Sequence, residues 1–201
     1  MLPWEHAAVA YLCYTGYARR AEGGPAAGWA VLVVLLASQL PDLIDKPLAW
    51  QVGLVPSGRS VAHSVFVGGP LAIGAVVVAR RYGRPALGAA FAIGYLSHLL
   101  TDVIPTYPAA GWSLESVLWP VATNESAPEV MGTDTGAIEH TGQILFGAYP
   151  SLLAPEALIG LGLVGLAGLV WFADGRPGVR ECWAVVRWPI DTLQPVVRRE
   201  Q

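Results

Sequence analysis

Charge is what this sequence has least of. Only 13% of its 201 residues are Asp, Glu, Lys or Arg, against 54% hydrophobic, and the mean hydropathy is +0.48. That balance excludes an ordinary water-soluble domain and points to an integral membrane protein. The two cysteines, Cys13 and Cys182, lie far apart, one in an apolar segment and one in the tail, so no disulfide framework is indicated. A net charge of -3 without any long basic run excludes nucleic acid as the main partner. The glycines form no phosphate-binding loop or dinucleotide fingerprint, and no Gly-x-Ser-x-Gly elbow occurs. Met1-Leu2-Pro3-Trp4-Glu5-His6 has no positive leader region and no evident cleavage site, so it is expected to stay in the mature protein. No internal repeat is evident.

What is present is a series of apolar segments. Trp4 to Tyr17 is apolar and aromatic but short for a full span, which needs about 20 helical residues. Residues 26 to 40 form a second apolar helix that runs into Pro41-Asp42-Leu43-Ile44-Asp45-Lys46-Pro47, placing two carboxylates at its exit. Residues 65 to 79 make a third, with His63 expected in its first turn, and residues 86 to 104 a fourth. Residues 105 to 150 are rich in Pro, Gly, Thr, Ser and acidic side chains and read as an outer loop or lid. Residues 152 to 173 make a fifth apolar segment, in which Gly160, Gly162, Gly165 and Gly168 offer a close-packing face. The expected architecture is all-α: a bundle of about five membrane helices over residues 1–173, followed by a basic cytoplasmic tail over 174–201.

Five segments make the connections alternate between sides. One side then collects Arg19, Arg20, Arg80, Arg81, Arg84 and the tail residues Arg176, Arg180, Arg187, Arg198 and Arg199, ten of the twelve basic residues. By the positive-inside rule this predicts an N-terminus outside and a C-terminus in the cytoplasm. Lys46 and Arg59 alone fall on the outer side, and so do all four histidines: His6, His63, His98 and His140.

The chemistry concentrates in Gly94-Tyr95-Leu96-Ser97-His98-Leu99-Leu100-Thr101-Asp102-Val103-Ile104-Pro105. His98 and Asp102 are four apart in an apolar run, so a helix projects them from one face, one turn apart. A buried carboxylate beside a buried imidazole is costly unless neutralised, and a divalent cation does so while fixing both side chains. Pro105 ends the helix and sets the pair near its end. Asp42 and Asp45 at a helix exit would oppose the helix dipole and so ask for a cation, although for this segment alone a solvated turn is the commoner explanation. His63 and His6 alone are more often packed or interfacial side chains than ligands, and His140, beside Glu139, is more often solvated. Ser64 would need a separate base to act as a nucleophile. Ionisable groups delivered by three helix ends to one boundary are nonetheless a functional pattern.

Taken together, His6, Leu40-Pro41-Asp42-Leu43-Ile44-Asp45-Lys46-Pro47, Arg59-Ser60-Val61-Ala62-His63-Ser64, Gly94 to Asp102 and Leu118-Trp119-Pro120 resemble the YdjM-like family of membrane-bound metal-dependent hydrolases. Some members of that family carry the name LexA-binding, inner-membrane-associated hydrolase. The resemblance covers roughly residues 1 to 120. The chain departs from the family pattern in the spacing of Asp42 and Asp45, in Lys46 and Gly58, which stand where histidines are common, and in Ala62, where a threonine is. The order His, Asp, His, His-x-x-x-Asp is also distantly similar to the zinc-dependent phospholipase C and P1 nuclease group.

The resemblance implies one or two divalent ions, zinc expected, held by His63, His98, Asp102 and one of Asp42 and Asp45, with His6 and a bridging Asp102 at a second position. The spare aspartate, Asp42 as the first choice, would be the general base, and Arg59 would meet substrate phosphate. The expected substrate is a lipid or lipid-linked phosphoester at the outer membrane boundary. Two other classes compete: a non-enzymatic membrane scaffold whose basic tail meets a cytoplasmic partner or anionic lipid, and a metal or proton transporter. The transporter would want ionisable residues through both halves of the membrane.

Overall fold

The computed structural model describes residues 2–104, 114–122 and 155–187, and among these it is helical with no strand. The helices are α1 (Pro3–Ala21), α2 (Gly28–Ala37), α3 (Leu40–Trp50), α4 (Val65–Arg81), α5 (Pro85–Val103) and α6 (Pro155–Ala173), with a short 3-10 turn at Leu114–Val117. Residues 179–187 form a further helical stretch.

The helix α5 is the central element, packed against α1, α2, α3, α4 and the 3-10 turn. Small residues make this possible. A Cβ on Gly94 would stand 2.5 Å from the Val34 carbonyl oxygen of α2, and one on Gly88 would stand 2.9 Å from the Val76 Cα of α4. Backbone therefore meets backbone at both crossings. One buried core joins Tyr11, Tyr14 and Ala18 of α1 to Ala30, Val31 and Val34 of α2, Ala90 of α5 and Ala167 of α6; a second gathers Tyr95, Leu99, Val103 and Val117. The outward faces stay apolar: Phe66, Ile73 and Val78 of α4 and Leu169 and Phe172 of α6 are all exposed. A protein in water rarely shows so much contiguous apolar surface.

Two stretches are long and apolar enough to cross a membrane by length and composition: Gly28–Trp50, which is α2 and α3 taken together, and Pro85–Val103. That test does not reach the expected five. The helix α4 stops at 17 residues, and α1 mixes Glu5, His6, Thr15, Arg19 and Arg20 among its apolar positions. Gly162, Gly165 and Gly168 of α6 face open space among the described residues.

Two boundaries differ from the sequence reading, and both bear on the site. Asp42 and Asp45 do not lie at the exit of α2. The chain turns at Ser38 and Gln39 and starts a new helix, with Pro41 in its first turn and Asp42 beside it. A proline lacks the amide hydrogen that a first turn leaves unpaired anyway, so it opens α3 rather than closing α2, and Asp42 sits where the helix dipole favours a carboxylate. Likewise His63 is not in the first turn of α4. It precedes the N-cap Ser64, whose hydroxyl oxygen accepts from the Phe66 amide, so the histidine is carried by the connecting loop. The helix α5 ends as expected, with Ile104 extended ahead of Pro105.

At the far end of the bundle from the histidines, Asp174 accepts from the Tyr11 hydroxyl, the Thr15 hydroxyl and, at 2.6 Å, the Arg19 guanidinium. This ties the end of α6 to α1. Residues 105–113 and 123–154, including His140, and residues 188–201 lie outside the described residues.

Candidate metal centre

Four elements bring the suspected side chains to one buried point. His6 comes from the first turn of α1, Asp42 and Asp45 from α3, His63 from the loop before α4, and His98 with Asp102 from the last turns of α5. His6, His63, His98 and Asp45 are at most 1% exposed, and Asp102 is 6% exposed.

The imidazole orientations follow from what each Nδ1 touches. His98 Nδ1 lies 2.6 Å from the Ser38 carbonyl oxygen, which can only accept, so Nδ1 carries the hydrogen and Nε2 holds a lone pair. His63 Nδ1 lies 2.9 Å from Asp45 Oδ2, again an acceptor. His6 Nδ1 lies 2.8 Å from the Thr101 hydroxyl oxygen, whose own hydrogen is engaged by the Ser97 or His98 carbonyl, so the imidazole donates there too. All three Nε2 atoms therefore turn inward.

They meet other acceptors. His98 Nε2 and His63 Nε2 stand 3.2 Å apart. Asp42 Oδ1 is 3.4 Å from His63 Nε2 and 3.8 Å from His98 Nε2. Asp102 Oδ2 is 3.5 Å from His63 Nε2 and 3.8 Å from His98 Nε2, while its Oδ1 is 3.3 Å from His6 Nε2. The rings of His6 and His98 stack at 3.9 Å between centroids, with an interplanar angle of 21°. Lone pairs facing lone pairs repel unless a proton or a cation lies between them. Two overlapping groups have metal-ligand geometry, His6 with His98 and Asp102, and Asp42 with His63 and His98, each with its donor atoms within 4.8 Å of one another. Histidine nitrogens with carboxylate oxygens are a donor set that could hold a divalent ion, and the outer acceptors on each Nδ1 are the kind of support that metal-ligating histidines receive.

The geometry divides the two aspartates that the sequence left equivalent. Asp42 belongs to the inward-facing set; Asp45 lies behind His63 and outside both groups. Asp45 Oδ2 accepts from the Ser60 amide at 2.8 Å, the His63 amide at 3.0 Å and His63 Nδ1, while Oδ1 accepts from the Ala62 amide at 3.0 Å. One carboxylate thus shapes the loop and sets the imidazole. The Tyr95 hydroxyl fastens the same loop by donating to the Ala62 carbonyl at 2.6 Å. His63 lies outside the apolar spans. Burial alone would lower its pKa, but Asp102, Asp42 and Asp45 outweigh this and push it up to about 10 without metal.

Two cations rim the cluster. Lys46 Nζ pairs with Asp42 Oδ2 at 2.5 Å, and Arg59 Nε lies 3.2 Å from Asp102 Oδ2, with side chains 31% and 40% exposed respectively. Compared with known proteins, the family model described as YdjM inner membrane protein matches residues 1–174. The chain belongs to the YdjM inner membrane protein family. No curated protein and no solved structure matches it. Membership places the chain in an inner membrane family, in keeping with its two apolar spans.

Sequence reasoning missed Thr101 and the Ser38 carbonyl as supports of the cluster. The signal for the first was a hydroxyl beside Asp102 inside an apolar helix. The second is a backbone group and has no sequence signal. Ser64, weighed as a nucleophile, instead donates to the Trp119 carbonyl at 2.6 Å while capping α4.

Proposed function

We propose that this protein is a membrane-bound, metal-dependent hydrolase acting on a lipid or lipid-linked phosphoester at the outer membrane boundary. The observation that carries the reading is the convergence of three imidazole Nε2 atoms on Asp42 and Asp102, with every Nδ1 turned to a partner outside the cluster. His63, His98 and Asp42 would hold one ion. His6 and Asp102 would hold a second position, and because His98 Nε2 has one lone pair it serves only one of the two groups at a time. A divalent cation, zinc by this donor set, would supply Lewis-acid polarisation of a phosphoryl oxygen and make water acidic near neutral pH.

The protein's own residues supply the rest. Asp45 holds the His63 ring in register. Asp42 presents Oδ1 to the imidazoles and Oδ2 to the Lys46 side; it would hold an ion through Oδ1 and could take a proton from water through Oδ2 once Lys46 turns away. Arg59, half exposed at the rim, is placed to neutralise negative charge that grows on the substrate. The histidines gather at one end of the bundle, and Arg19 with Asp174 stands at the other. The shared end of Arg19 and Asp174 supports the reading that α1 and α6 both finish on the cytoplasmic side, with the N-terminus outside.

The test is zinc analysis joined to turnover. The purified full chain, reconstituted in vesicles with phosphatidylglycerol, is expected to carry a stoichiometric divalent ion and to release a phosphate-bearing product. Both are lost in His98→Ala and Asp102→Ala. A chain that binds no divalent ion, and whose stability is indifferent to chelator, would instead be a membrane scaffold.

A further inference from the structure

A cavity of about 340 Å³ opens beside Asp42, walled by Gln39, Leu43, Lys46, Pro47 and Trp50. Its size is at the low end of small-molecule sites. Two further cavities, against Val31, Leu35 and Trp171, have no charged side chain in their walls. This one does, and it shares Asp42 with the metal cluster. Lys46 and Trp50 occupy successive turns of α3, with the ammonium 5.9 Å from the centre of the indole ring. Cation, aromatic face and apolar floor therefore line one space that ends on a side chain of the site.

We propose that this cavity is the leaving-group subsite of the hydrolase, taking a phosphoester that carries an apolar group, with Lys46 as the residue that selects the anion. The proposal rests on the hydrolase reading for its chemistry but not for its geometry. Without metal, the Lys46 ammonium is held by Asp42 Oδ2. A divalent cation held by Asp42 would draw on that charge and repel the ammonium, leaving Lys46 free to meet an anion in the cavity. Anion affinity is thus coupled to metal loading. Trp50, Leu43 and Pro47 give the organic group an apolar surface, so an ester bearing such a group binds better than bare phosphate.

The coupling gives a test with two soluble probes, phenyl phosphate and inorganic phosphate, titrated into the zinc-loaded and zinc-free full chain in detergent. Phenyl phosphate is expected to bind the zinc-loaded chain at least about tenfold more tightly than the zinc-free one. Lys46→Gln should lose that gain while keeping its zinc, and Lys46→Arg should restore most of it. Trp50→Leu should erase the preference for phenyl over inorganic phosphate and leave the affinity for inorganic phosphate unchanged. Equal affinities in wild type, Lys46→Gln and Trp50→Leu overturn the subsite, even where turnover is observed. Binding that follows this pattern without any turnover keeps the subsite and removes the hydrolase. Phosphatidylglycerol in mixed micelles that competes with phenyl phosphate assigns the ester to a lipid headgroup, and failure to compete assigns it to a soluble ester; Lys46 is required in both.

Discussion

Replacing Asp45 by asparagine separates a side chain that holds a metal ion from one that holds the ligand. Asp45 is fully buried and its two oxygens accept four hydrogen bonds, from the amides of Ser60, Ala62 and His63 and from His63 Nδ1. Asparagine keeps the shape but has one accepting oxygen, and its amide hydrogens must face at least one of those donors. Charge-assisted bonds are worth about 1.5–3 kcal/mol each and a buried donor left unpaired costs about 1–3 kcal/mol. With its oxygen at the Oδ2 position the asparagine keeps three bonds and loses the one from the Ala62 amide, which should lower the stability of the zinc-free chain by about 1–3 kcal/mol. The ion itself should remain, because Asp42, His98 and Asp102 are untouched. Loss of a supporting group behind a metal-bound imidazole typically weakens metal binding about 10–100-fold. The assay is zinc competition against a fluorescent chelator, with thermal unfolding in detergent on the same preparations. Asp42→Asn is the comparison and should lose more than about 100-fold in zinc affinity while leaving the zinc-free chain closer to wild type. The reasoning fails if Asp45→Asn loses its zinc altogether at near wild-type stability, which would make Asp45 a direct ligand.

The remaining predictions concern the frame around the site. Gly94→Ala should destabilise the protein by about 1–3 kcal/mol, because the new methyl meets the Val34 carbonyl at 2.5 Å, and by parting α2 from α5 it should also weaken zinc binding through the His98 to Ser38 bond; thermal unfolding and zinc titration read the two effects. Tyr95→Phe should cost about 0.5–1.5 kcal/mol through loss of the bond to the Ala62 carbonyl and should weaken zinc binding by a smaller factor than Asp45→Asn. Since His63 is raised from 6.5 to about 10 in the metal-free chain, the stability it adds is complete below 6.5 and fades as the pH climbs toward 10. Zinc must displace that proton, so its affinity should rise with pH across the same interval by about tenfold per unit, as measured with buffered chelators. Asp174→Ala should loosen the joint between α1 and α6 in thermal unfolding and leave zinc affinity unchanged.

Much of this was legible in the residues themselves. The pairing of His98 with Asp102 follows from a four-residue spacing in an apolar run, and the structure sets both on one buried face of α5. The apolar segments correspond to helices, because runs of Ala, Leu and Val between Gly and Pro leave the chain few alternatives. What could not be read was the division of labour between Asp42 and Asp45. Their spacing of three fits one helix face, and only the loop folded over α3 decides that the backbone amides of residues 60–63 capture the second and leave the first to the site. The α2 boundary was misread because a proline after an apolar run is equally a stop signal and a start signal. Lys46, noted as a departure, offered nothing to argue from until the cavity beside Trp50 was visible.

The account stands or falls on a cation among these side chains, and anomalous scattering at the zinc edge from crystals of the zinc-loaded full chain tests it directly. The prediction is a peak within bonding distance of His63 Nε2, His98 Nε2 and Asp42, with any second peak between His6 and Asp102. A difference map with no peak inside this cluster, or with zinc only at surface carboxylates, contradicts it.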